Sequence, residues 1–180
     1  MAGFASPEEN IKELHLKEDS VVVDLGCGTG HYVLAIARAL NELGKSGTVY
    51  AVDVQKSLID KIASEAKRMA LDNVRVIWGD IDVVGGTKLG DAIADRVVIS
   101  NVLFQSENKE NFLREAVRLL KPGGEMLVVD WSDPHAGMGP EQSMIVRPEV
   151  IVQILHNLGL FKKRDFPAGA HHWGLIFAKQ

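Results

Sequence analysis

The chain has 180 residues, 46% of them hydrophobic and 24% charged, with a net charge of -4. That length suits one domain with one substantial core, and the acidic balance argues against a bulk electrostatic hold on nucleic acid or an anionic membrane. The single cysteine, Cys27, excludes an internal disulfide and a cysteine-built metal site. Residues 1–9 carry no basic stretch followed by an apolar one, and the apolar runs are too short to span a bilayer, so a cytoplasmic location is expected.

In chain order, an N-terminal helical segment within residues 1–20 comes first. Short runs rich in β-branched residues then follow at 21–24, 48–53, 74–78, 96–100 and 126–131. They lack polar alternation, as strands covered on both faces do. Between them, residues 32–43, 57–70 and 107–120 read as helices. In the second, Leu58, Ile62, Ala66 and Met69 keep the spacing of a buried helix face, and in the third Phe112, Leu113, Ala116, Val117 and Leu120 do the same. Pro148 opens a last helix and Gly159 ends it. Two further runs, 160–166 and 172–179, are joined by a turn too short for a crossover, so they pair antiparallel. The expected fold is α/β: one doubly wound, mostly parallel, seven-stranded sheet ending in an antiparallel hairpin, all within one domain spanning 1–180.

After the first strand comes Asp24-Leu25-Gly26-Cys27-Gly28-Thr29-Gly30, a glycine loop opening a helix. Such a loop lets backbone amides approach a ligand closely, but it also serves as a plain strand-to-helix turn. The nicotinamide fingerprint requires a further glycine at position 31, which here is His31. Asp53 ends the second strand, where a carboxylate can accept both ribose hydroxyls. Asp80 follows the third, where an adenine amino group can donate to it. The turn Lys121-Pro122-Gly123-Gly124 joins a helix to a strand and carries no chemistry.

The segments VVVDLGCGTGHYVLAIA, VYAVDVQ, VRVIWGDIDV, ADRVVISNVLF and LLKPGGEMLVVDW together resemble the successive motifs of class I S-adenosylmethionine-dependent methyltransferases. The branch with the ubiquinone/menaquinone C-methyltransferases and arsenite methyltransferases is nearest. The resemblance implies a Rossmann-like methyltransferase fold and S-adenosyl-L-methionine as cofactor, with S-adenosyl-L-homocysteine as product. It implies that Asp24 and the loop Gly26, Cys27, Gly28, Gly30 hold the methionine moiety, with Tyr32 on the cofactor side. Asp53 takes the ribose, Val54 packs on adenine, Asp80 and the Ile81 amide bind its edge, and Asn101 lies near the transferring methyl group.

Methyl transfer is an in-line displacement that depends chiefly on alignment, and a general base is needed only when the acceptor must lose a proton. The candidate bases are His135, in the glycine-containing stretch 132–146 that reads as a lid loop, and His171 and His172, where the last strand begins, with Asp133; of these His135 and His172 are expected nearest the methyl group. No metal is expected: Asn101 and Asp130 make a poor ligand set, and a lone Cys27 cannot bind arsenic as arsenite chemistry requires. The acceptor is expected to be a small or lipid-like molecule. A macromolecular acceptor and a nicotinamide or nucleotide-binding role are the alternatives.

Overall fold

The computed structural model describes residues 5–135, 137 and 139–180. Seven strands form one sheet in the order β3-β2-β1-β4-β5-β7-β6. They are β1 (Val21–Leu25), β2 (Thr48–Asp53), β3 (Val74–Trp78), β4 (Ala94–Ser100), β5 (Leu120–Trp131), β6 (Leu160–Phe166) and β7 (His172–Lys179). β7 runs antiparallel to both its neighbours, β5 and β6, and every other pairing is parallel. This is the expected α/β sheet with its terminal hairpin.

Among the described residues the α-helices are α1 (Pro7–Asn10), α2 (His31–Leu43), α3 (Lys56–Arg68), α4 (Lys109–Leu119) and α5 (Pro148–Asn157). Successive strand residues feed opposite layers. Val22, Val98 and Val129 pack with α2 and α3, while Val23, Val97 and Val128 pack with α4 and α5. A sheet buried on both faces has no polar side, which is why the strands read as unbroken apolar runs.

Most sequence-based ends move by a residue or two, and the start of β5 moves by six. α4 begins at Lys109 rather than 107 because the Asn108 side chain caps it, accepting from the Asn111 amide at 3.0 Å. β5 begins at Leu120 rather than 126, since Leu120 pairs with Ala94 before the register shifts and Glu125 pairs with Arg96. The Lys121–Gly124 turn survives as a bulge within the strand, with Gly123 at φ 75°.

The order places β1 and β4 side by side with their connections running to opposite ends of the sheet. Such a switch point opens a crevice at the carboxyl ends of the strands.

Candidate functional site

A cleft of about 630 Å³ occupies that crevice. Gly26, Cys27, Gly28 and Tyr32 line it from the first loop and α2, Asp53 and Val54 from the end of β2, Asp80 and Ile81 from beyond β3, and Asn101 from beyond β4. Nine of the sequence-predicted residues therefore meet in one place. Asp24 lies beneath them, 1% exposed. Gly30 does not line the cleft. A Cβ there would sit 2.7 Å from Ile62, so this glycine lets α3 pack against the loop.

The three loop glycines do different work. Gly26, at φ 73°, leaves room for Val102, which a Cβ would approach to 2.5 Å. Only Gly28, at φ 52°, faces space with nothing within 4 Å of its missing Cβ. The loop is fixed to β2 by the Gly26 and Cys27 amides, which donate to the Val52 carbonyl at 2.9 and 3.1 Å. The Gly28 amide donates to Asp53 Oδ2 at 2.9 Å and the Gln55 amide to Oδ1 at 2.8 Å. Two backbone donors thus orient the Asp53 carboxylate, and its remaining lone pairs are available to hydroxyl groups.

Asp24 is unlike Asp53. Both its oxygens are buried without a hydrogen-bond partner. Burial, and secondarily the charge of Asp53, push its carboxyl up to about 8, so it holds a proton at neutral pH. The Asn101 Oδ1 is likewise buried without a partner, on a residue at φ 52°, a left-handed conformation that asparagine tolerates. Burial also pushes the Cys27 thiol far up, which leaves it unreactive. Tyr32 is pushed up to about 12 by burial, and its hydroxyl accepts from Asn10 Nδ2 at 2.8 Å.

On the far wall, Asp80 Oδ1 accepts from the Asp82 amide at 2.9 Å. Asp82, which the sequence reading passed over, accepts from Ser106 Oγ at 2.6 Å and from the Glu107 amide at 3.2 Å. It joins the loop after β3 to the loop after β4, and Ser106 and Gln105 line the cleft with it. The Asp-x-Asp spacing was visible, but the partner 24 residues away was not. Ala5 and Pro7 add a small wall ahead of β1.

None of the candidate bases, His135, His171, His172 and Asp133, lines the cleft. His135 stacks on His171, ring centroids 4.0 Å apart, and His171 Nδ1 lies 2.5 Å from Asp133 Oδ1. That contact holds the Asp133 carboxyl below the usual range. His172 stacks on Trp131 at 4.4 Å. Of the 132–146 loop, Ala136 and Met138 fall outside the described residues, and none of the others lines the cleft. Among the described residues no group of three or more metal-ligating side chains comes together, and no helix is long and apolar enough to cross a membrane.

The profile of the family described as "Methyltransferase domain" matches residues 16–157. The chain belongs to that family. This methyltransferase-domain chain is 28% identical over 127 residues to demethylmenaquinone methyltransferase of Geobacillus sp. (strain WCH70), covering 71% of its own length and 52% of the relative's. It is 34% identical over 113 residues to arsenite methyltransferase of Aquipseudomonas alcaligenes, covering 61% and 32%. It thus spans about half or less of these curated relatives. A SAM-dependent methyltransferase of Aquifex aeolicus superposes with a TM-score of 0.85 at 25% identity, over 97% of this chain and 89% of that one.

S-adenosylmethionine requires a buried anion for its ammonium, an acceptor pair for its ribose hydroxyls, an apolar face and an edge acceptor for adenine. Asp24 has two orphaned oxygens, Asp53 a pre-oriented carboxylate, Val54 a 55% exposed side chain and Asp80 an exposed carboxylate. The residues fit the group.

Proposed function

We propose that this protein binds S-adenosyl-L-methionine in the cleft and transfers its methyl group to a small-molecule acceptor. The observation that carries the reading is Asp24: a carboxyl buried without any partner costs stability, and a cationic ligand removes that cost. When bound, the cofactor supplies a methyl group on a sulfonium, already a good leaving group. The protein's own work is then alignment. Asp24 holds the ammonium end, Asp53 fixes the ribose through an orientation set by the Gly28 and Gln55 amides, and Asn101 offers its orphaned Oδ1 near the methionine portion. Val54 and Ile81 shield the adenine from water. A small acceptor is favoured by the chain's acidic charge and by the small-molecule chemistry named for the two curated relatives.

Calorimetry tests the reading. S-adenosylmethionine and S-adenosylhomocysteine are expected to bind, and NAD is not. Ligand at a hundredfold its dissociation constant should stabilise the fold by about 2.7 kcal/mol. Stabilisation by NAD alone overturns it.

A further inference from the structure

Among the described residues, five buried side-chain atoms lack a hydrogen-bond partner: both oxygens of Asp24, Asn73 Oδ1, Asn101 Oδ1 and His172 Nε2. Asn73 is held structurally, its Nδ2 donating to the Ala37 carbonyl at 2.9 Å. Asp24 and Asn101 belong to the cofactor cleft. His172 is left over, and burying a ring nitrogen without a partner is unfavourable.

Its chemistry is set by its neighbour. His172 Nδ1 lies 2.8 Å from the Ala170 carbonyl, which only accepts, so Nδ1 carries the hydrogen and Nε2 presents a bare lone pair. The ring is clamped on Trp131, whose indole is also crowded by the backbone at Gly139, where a Cβ would come within 2.7 Å. With both neighbours in place, Trp131 holds the imidazole rather than offering a free stacking face.

Its place follows from register. Asp24 pairs with Val98, Ser100 with Val129, and Trp131 with His172. Residues two apart on a strand share a face, so Asp24, Ser100, Trp131 and His172 lie on one face at one edge. Ser100 lines the cleft, and β7 is two strands from β4, about 10 Å at ordinary strand spacing. A second link runs through Asn10, whose Nδ2 donates both to the cleft residue Tyr32 and to the Ala168 carbonyl, two residues before Ala170.

We infer that His172 is the acceptor-side base, and that the acceptor is a molecule whose nucleophile is a hydroxyl or N–H group that must lose its proton. The inference rests on the cofactor-cleft reading above. His172 Nε2 takes the proton while the acceptor oxygen or nitrogen forms its bond to the methyl carbon. The carbon–sulfur pair returns to sulfur, which becomes a thioether. Burial keeps the imidazole below the ordinary histidine range and uncharged at neutral pH, and the nearby His171 pushes the same way against the raising effects of Asp133 and of the Ala170 carbonyl. His135, its ring against that of His171, is a further titratable group beside this corner. Acceptors that bring a ready lone pair, such as a thioether or a tertiary amine, would have no use for this nitrogen.

Long-range proton–nitrogen NMR of the histidine rings, assigned with His172→Gln, tests this in wild-type protein. In the free protein His172 should be the Nδ1–H tautomer near neutral pH; an Nε2–H tautomer overturns the inference. With S-adenosylhomocysteine bound, phenol should shift the Nε2 resonance saturably, and anisole, which lacks the hydroxyl, should not. His172→Gln should weaken phenol binding by about two- to tenfold and leave S-adenosylhomocysteine affinity within about twofold. No phenol response, or an equal response to anisole, overturns the base assignment. Failure of S-adenosylhomocysteine to bind strikes the cofactor reading instead, and the tautomer result stands apart from it.

Discussion

On the β1–β2 half of the sheet edge, backbone amides orient the Asp53 carboxylate, with the Gly28 and Gln55 amides donating to it and the Val52 carbonyl anchoring the loop. On the β5–β7 half, side chains chiefly hold side chains, Trp131 against His172, His135 against His171 and Asp133 on His171, with the Ala170 carbonyl on His172 as the backbone contribution. A site held by backbone is specified by local sequence, because glycine positions and strand ends dictate it. A corner held by side chains depends on which strands become neighbours, and it changes with single substitutions. The first arrangement suits a constant ligand and the second a variable one.

The largest expected effect is on the first half. Asp24→Asn keeps the shape and removes the charge, and should weaken cofactor binding by one to two orders of magnitude, about 1.5–3 kcal/mol, measured by calorimetry. It should also make the free protein more stable. The carboxyl titrates near 8 in the fold against 3.8 as the reference, so above the lower value the unfolded chain binds fewer protons than the native one. Native stability therefore falls by about 1.4 kcal/mol per pH unit until pH reaches the folded value, then levels. Asn has no such slope. Denaturant midpoints for the two proteins should diverge between pH 5 and 8, and parallel curves would show that Asp24 is paired after all. By the same logic, cofactor affinity of the wild type should rise with pH and flatten above about 8, with a proton released on binding below it.

Next comes the joint between the halves. Asn10→Ala strips the Tyr32 hydroxyl and the Ala168 carbonyl of one shared donor and should cost about 1–3 kcal/mol of stability in a denaturant titration. An unchanged midpoint would mean that the N-terminal helix does not brace the hairpin turn. Asp82→Ala should act least, lowering cofactor affinity up to about tenfold through a looser tie between the loops after β3 and β4, with the thermal midpoint little changed. A wild-type affinity would leave Asp82 a surface tether.

The same contrast explains what could be read beforehand. The strands were legible because burial on both faces leaves unbroken apolar runs, and the hairpin because its turn admits no crossover. Gly26, Gly28, Asp53 and Asp80 were legible because they stand at fixed offsets from strand ends. Their division of labour was not, since Gly30 yields to Ile62 and Gly26 to Val102 only once α3 and the β4 loop are packed. Asp82 required Ser106, a residue 24 positions on. The tautomer of His172 required the Ala170 carbonyl, which no pattern of side chains announces.

The insertion of β7 between β5 and β6 has a consequence for synthesis. Translation delivers β6 before β7, and among the described residues β6 pairs only with β7. Until residues 172–179 emerge, β5 presents an open edge of Met126, Leu127, Val128 and Val129, four residues that are fully buried in the finished sheet. Such an edge is a template for pairing with another nascent chain. The ribosome-bound protein is therefore at its stickiest just before completion of this hairpin, and a chain released without its last strand should aggregate rather than persist as a smaller fold.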